Sequence, residues 1–263
     1  MSETITPGEA YLQASEGLIQ RVREQLPLVR EAARWFADTI LGGRMVHVFG
    51  SGHSRIMVEE MWPRYGSFPG FNPIVELSLT FHNLVVGANG QRQAMFLENV
   101  SGLAARILRN FDIGGADTAF VISSSGCNVV PVEMAEEFQK RGVRVVALVS
   151  AAHAEASTSR HPEGKKLTDC AHLVLDTGAP VGDAMVTVEG LETPVAPGST
   201  VGGCLIVNAI KAEVARLLTE AGHPPKVLTA AAIAGKEKAE VLFEAAYDEH
   251  GRRAARYFAN LGL

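Results

Sequence analysis

Zinc spacing, a nucleotide loop and a basic stripe are all missing from this chain of 263 residues. Its three cysteines, Cys127, Cys170 and Cys204, are far apart and form no CxxC pair, which excludes a disulfide framework and predicts reduced thiols in a cytoplasmic protein. His153 and His161 have Glu155 between them, but no HExxH helix occurs, so no metal or other cofactor is expected. Gly50-Ser51-Gly52 lacks the third glycine of a dinucleotide loop, and there is no GKS or GKT. The net charge is −5, with no run of lysine and arginine, which speaks against nucleic acid. The apolar stretch Val201 to Ile210 is too short to cross a bilayer. Met1 to Ala10 is polar and acidic, unlike a signal peptide. No membrane partner is expected. What remains is 47% hydrophobic and 20% charged, a globular composition, long enough for one large α/β domain with a sizeable core.

The chain opens with a helical pattern of about forty residues. Val22, Leu26, Val29, Ala33, Phe36 and Ile40 recur by four, three, four, three, four, which lays one apolar stripe along a helix. Pro27 is expected to kink or split it, and Gly42-Gly43 to end it. The stripe must pack on the main domain or on a partner subunit. Alternation follows: strands at Met45–Phe49, Ile74–Leu77, Thr118–Ile122, Val143–Val149 and Ala171–Leu175, with helical segments at Arg55–Tyr65, Ala94–Asn110 and Val129–Arg141. This rhythm predicts a parallel sheet covered on both faces. A polar stretch from Ala151 to Asp169, a strand or hairpin at Met185–Val188, an apolar helix Gly203–Ala221 and an amphipathic helix Ala234–Phe258 complete the reading. The expected division is an N-terminal helical segment at 1–43, a main domain at 44–222 and a helical extension at 223–263.

Two serine-bearing turns stand out. Gly50-Ser51-Gly52-His53-Ser54 follows the first strand, and Ser123-Ser124-Ser125-Gly126-Cys127-Asn128 follows the third. Each opens onto a helix. Helix starts carry unpaired N–H groups and partial positive charge, serine adds neutral donors, and glycine lets the backbone come close. Two such turns point to an anion site at the carboxyl edge of a parallel sheet.

These residues, with Val145-Val146-Ala147-Leu148-Val149-Ser150, Ser157 and Ala171-His172-Leu173-Val174-Leu175, resemble the SIS (sugar isomerase) domain family over Arg44 to Leu218. Ser159 to Leu167 and Asp176…Gly182-Asp183-Ala184 place the resemblance nearest to the subgroup described only as SIS-domain proteins. Phosphoheptose isomerases and N-acetylmuramic acid 6-phosphate etherases are more distant. The resemblance implies a three-layer α/β sandwich with a five-stranded parallel sheet, here with a long N-terminal helix. It also implies a phosphosugar ligand and a homodimer or homotetramer. Ser54, Ser123 and Ser125 match the family's phosphate-holding serines. Many members have threonine where this chain has Asn128, whose different reach leaves a sulfonate or carboxylate end open.

Aldose–ketose isomerisation through an enediolate needs a base near the carbon between carbonyl and hydroxyl. Glu98 is the candidate base, resembling a pocket-lining family glutamate; the competing reading is a solvated helix residue. His82 follows an apolar strand, either as a proton shuttle for ring opening or as a surface residue; His161 is the other candidate for that role. Gly52, His53, Ser54, Ser123, Ser124, Ser125 and Asn128 are the expected anion cradle, with His53 also able simply to cap its turn. Arg160, His161 and Lys165 either close over an anionic sugar or form an exposed charged loop. Glu59 or Glu60 can face the cleft or pair with bases. His223 reads as a helix-end residue. An etherase or lyase would use the same base, and a sugar-phosphate sensor acting on a partner protein would need none.

Overall fold

The computed structural model describes residues 5–80 and 90–259. In chain order the elements are α1 (Pro7–Glu24), α2 (Leu26–Leu41), β1 (Val46–Gly50), α3 (Arg55–Met61), β2 (Phe71–Ile74), α4 (Gln91–Leu97), α5 (Leu103–Leu108), β3 (Thr118–Ile122), α6 (Val129–Lys140), β4 (Arg144–Val149), α7 (Ala151–Ala156), β5 (Leu173–Asp176), β6 (Ala184–Val186), β7 (Val195–Pro197), α8 (Ser199–Glu220), α9 (Ala231–Ala234) and α10 (Lys236–Ala259). Five strands form one parallel sheet in the order β2-β1-β3-β4-β5, and β6 and β7 form a small antiparallel pair.

Side chains alternate across the sheet, as a pleated strand requires. Val46, Val48, Phe120, Ile122, Val146 and Leu148 point into one core with α2, α3 and α8. Phe49, Ala119, Val121, Val145, Ala147 and Val149 point into the other, with α5 and α6. The result is the expected three-layer α/β sandwich around a five-stranded parallel sheet.

The N-terminal helical pattern breaks at Gln25. Pro27 falls in the first turn of α2, where its missing N–H costs nothing. The stripe of α2 is covered by its own chain: Val29, Ala33, Phe36 and Ile40 are buried in the same core as α8. α1 adds Leu18 and Val22 as buried residues.

Two differences from the sequence reading have clear causes. The second strand is Phe71–Ile74 and not Ile74–Leu77. It lies at the edge of the sheet, where Pro73 needs no ladder N–H; Leu77–Leu79 is instead a short 3-10 turn capped by the Glu76 side chain. The segment expected as one helix over Ala94–Asn110 is two. Gly102 has left-handed backbone, φ 83°, and its N–H donates to Glu133 Oε2 of α6 at 2.8 Å. The break leaves Glu98 at the end of α4.

The start of α8 is pressed against the end of β5. A Cβ on Gly202 would lie 2.0 Å from the Thr177 carbonyl oxygen, a contact that only backbone movement could relieve. Gly202→Ala is therefore expected to destabilise the protein by about 1–3 kcal/mol through overpacking, read as a lower midpoint in denaturant; an unchanged midpoint would mean α8 is free to shift.

Candidate functional site

The strand order reverses between β1 and β3: the chain goes to one side for β2 and returns on the other for β3. That reversal opens a crevice beyond the strand ends. The register pairs Gly50 with Ile122, so the two serine turns begin side by side. A cleft of about 410 Å³ lies there. Its lining includes Ser51, Gly52, His53 and Ser54 of the first turn and Ser123, Ser124, Ser125 and Asn128 of the second, together with Glu98. Left-handed glycines shape both turns, Gly52 at φ 55° and Gly126 at φ 61°.

The second turn is braced by its own hydroxyls. Ser123 Oγ accepts from Gly126 N–H and Ser125 Oγ from Cys127 N–H, each at 3.3 Å. Ser124 Oγ lies 3.2 Å from Ser150 Oγ, which lies 2.7 Å from Thr177 Oγ1. A chain of hydroxyls thus runs across the ends of β3, β4 and β5. Burial pushes the Cys127 thiol up from its ordinary range, so it is not an activated nucleophile.

Glu98 joins the two turns. Ser51 Oγ of the first turn donates to Glu98 Oε1. Asn128 Nδ2 of the second donates to Glu98 Oε2 at 2.6 Å. The Glu98 carbonyl accepts from Val130 N–H at 2.9 Å, one of the unpaired donors at the start of α6. The carboxylate is therefore fixed in one orientation, on a backbone anchored at both the α4 and α6 ends. Ser51 was not among the residues singled out from the sequence, although its place in the first turn was the available signal. Asn128, expected to hold an anion, has its amide donor on Glu98, and its Oδ1 accepts from Arg160 Nη1 at 3.1 Å.

The basic loop is only partly at the site. Arg160 reaches it through Asn128. Lys165 Nζ instead pairs with Glu136 and Glu163, each at 2.7 Å. His161, a candidate for ring opening, is buried with its Nε2 3.6 Å from Glu136 Oε2 on α6. Neither His161 nor Lys165 lines the cleft; α6 presents Glu136 to them, and that attraction draws them away. His82 falls in 81–89, outside the described residues. Glu59 pairs with Arg55, and Glu60 with Arg64 and Lys211. His223 lines a separate hollow beyond the end of α8.

The remaining lining includes residues distant in sequence: Gln91 and Met95 of α4, His153 of α7, Thr177, Asp183, Ser199 and Thr200. Sequence reasoning did not assign these to the site. Asp183 was visible only as part of a family-like segment. Among the described residues no cluster of histidine, cysteine and carboxylates suits a metal ion, and no helix is long and apolar enough to cross a membrane.

Residues 10–150 match the SIS domain model, and the chain belongs to that family. Similar proteins within it include UPF0309 proteins. One from Halalkalibacterium halodurans is 33% identical over 219 residues, covering 83% of this chain and 87% of the relative. One from Streptomyces avermitilis is 33% identical over 228 residues, covering 86% and 89%. Among solved structures, the chain is similar to a phosphoheptose isomerase from Francisella tularensis, with TM-score 0.49 and 15% identity over 80% of this chain and 98% of that one. It is also similar to the Vibrio vulnificus NanR protein complexed with ManNAc-6P, with TM-score 0.43 and 16% identity over 89% and 69%.

Proposed function

We propose that the cleft binds a phosphorylated sugar and that Glu98 moves a proton between neighbouring carbons, interconverting aldose and ketose through an enediolate. The observation that supports this most is the Glu98 carboxylate held jointly by Ser51 and Asn128 between the two turns. Neutral hydroxyls and turn N–H groups at Gly52–Ser54 and Ser123–Ser125 receive the anionic end. Glu98 takes the proton from the carbon next to the carbonyl. The C–H electron pair forms the C=C bond of the enediolate, and the carbonyl oxygen takes the charge. Glu98, whose carboxyl proton exchanges with solvent during its lifetime, then delivers a proton to the adjacent carbon, while the hydroxyl on the second carbon gives up its proton and the former carbonyl oxygen gains one, which leaves the carbonyl at the second carbon. Positioned general bases accelerate such steps by about 10²–10⁴-fold.

The test is exchange. Hexose and heptose phosphates are incubated with the protein in heavy water, and deuterium at carbon 2 is followed by NMR. Incorporation with interconversion of the two sugars is expected. Loss of a substituent from the sugar would indicate a lyase, and binding without exchange a sensor; either outcome would overturn the isomerase reading. The anion cradle has its own check. Ser125→Ala is expected to weaken inorganic phosphate binding by about 1–3 kcal/mol, measured by calorimetry, with the thermal midpoint unchanged. Undiminished affinity would move the anion elsewhere.

A further inference from the structure

The layer of helices opposite Glu98 contributes a second carboxylate to the cleft, in an unusual place. Helix α8 has 22 residues and begins at Ser199, on the cleft wall. The start of such a helix ordinarily welcomes an anion. Here the protein supplies that anion itself. Asp183 Oδ1 accepts from the N–H of Gly198 at 3.1 Å and of Ser199 at 2.7 Å, and Oδ2 accepts from Ser199 Oγ at 2.7 Å. The Asp183 carbonyl takes Gly198 N–H as well, at 3.0 Å. Asp183 achieves this with φ 69°, a backbone that aspartate and asparagine tolerate better than most residues.

The neighbours of Asp183 suit hydroxyl groups. His153 Nδ1 accepts from Gly182 N–H at 3.1 Å, so the neutral ring carries its proton on Nε2 and offers a donor. Thr177, Ser199 and Thr200 add hydroxyls to the same lining. Asp183 and Ser199 belong to the α8 wall; Glu98 comes from α4, whose Leu97 packs in the other core.

We propose that Asp183 makes this wall a charge filter: the cleft takes sugar monophosphates with an uncharged far end and rejects sugars bearing a second anionic group. This rests on the sugar-phosphate reading of the cleft and adds its polarity. The first anion docks on the serine turns. A second would face the fixed carboxylate at the head of α8 instead of a helix start open to it. Like charges brought together in a partly enclosed cleft repel strongly, and such repulsion is an effective way to discriminate.

The experiment compares inorganic phosphate, fructose 6-phosphate and fructose 1,6-bisphosphate by calorimetry, on the wild-type chain and on Asp183→Asn. Asparagine tolerates the positive φ and keeps Oδ1 as an acceptor, and its thermal midpoint verifies folding. The wild type is expected to bind phosphate and fructose 6-phosphate, and the bisphosphate more weakly by about tenfold or more. In Asp183→Asn the gap between fructose 6-phosphate and the bisphosphate is expected to close. Equal wild-type affinity for the two sugars, or a gap that persists in the variant, overturns the filter while leaving the phosphate site intact. If phosphate binds but fructose 6-phosphate does not, the wall receives no uncharged end and the filter also fails. If phosphate itself does not bind, the sugar-phosphate reading fails, and the filter with it. Should the variant not fold, the wild-type gap between the two sugars is measured against salt: screening must narrow it, and a salt-independent gap refutes a charge origin.

Discussion

Replacing Glu98 with glutamine is expected to lower carbon-2 exchange by about 10²–10⁴-fold while leaving phosphate affinity where it was. Glutamine has nearly the same shape, and its carbonyl can still accept the hydrogen bond from Asn128. The Ser51 hydroxyl can turn and accept from the new amide, since a hydroxyl both donates and accepts. The backbone bond from Val130 N–H to the residue 98 carbonyl is untouched by a side-chain change. The geometry should therefore survive, and only the base is lost. Glu98→Asp gives the complementary result: it remains a base but withdraws from Ser51 and Asn128, so partial exchange should persist. Exchange undiminished in the glutamine variant would assign the proton transfer to another group. Equal loss of exchange and of phosphate affinity would mean that Glu98 holds the cleft together without acting as its base.

That Glu98 occupies this position depends on more than its own sequence context. Read along the chain, it is one glutamate within a helical pattern. It becomes a site residue because Gly102, in left-handed backbone, ends that pattern and lets the Glu98 carbonyl meet Val130. The serine turns were easier to recognise. Each is contiguous, each follows an apolar strand, and the pairing of Gly50 with Ile122 brings their starts level. Asp183, His153 and Ser199 could not be found in the same way. Asp183 reaches the cleft through a positive φ and a bond across to the head of α8, and that head reaches it because Gly202 permits contact with Thr177. No local pattern encodes such a meeting. The basic loop shows the reverse error: Arg160, His161 and Lys165 are adjacent in sequence, yet Glu136 on α6 holds two of them away from the cleft. The displaced second strand has a simpler origin, because an apolar run alone does not say which residues lie at a sheet edge that tolerates Pro73.

The largest stability loss is expected at the opposite rim of the sheet, for Asp117→Ala. Asp117 is buried just before β3. Arg44, just before β1, grips it through Nε at 2.9 Å and Nη2 at 2.6 Å. Tyr257 of α10 donates to it at 2.7 Å and Gly114 N–H at 2.9 Å. His47 receives Asn72 Nδ2 on its Nδ1 and presents Nε2 3.5 Å from Asp117 Oδ1. Burial alone would raise the Asp117 carboxyl, but the nearby His47 ring at 3.5 Å and the hydrogen bonds from Arg44 overcome it and hold the group well below the usual carboxylate range. Burial pushes His47 the other way for a base, below its ordinary value, against the pull of Asp117. Alanine would strand a guanidinium, a phenol and an N–H around an apolar methyl. Removing one partner of a buried ion pair costs about 3–5 kcal/mol, and for a chain of this size each kcal/mol lowers the thermal midpoint by about 2–4 °C. The sign with pH follows from the two shifts. A depressed carboxyl contributes stability above its unfolded value of about 4, and loses it as pH falls toward the folded value. A depressed histidine contributes above about 6.5 and loses that part as pH falls below it. The wild type should thus weaken in two stages on acidification, whereas Asp117→Ala should show a smaller loss below about pH 4. An identical acid limb in both proteins would show that Asp117 is not the group being titrated. Because this network ties α10 to the starts of the two strands whose far ends carry the serine turns, exchange per folded molecule should be unaltered in the variant; a fall in that specific rate would mean that the base of the sheet and the cleft are mechanically coupled.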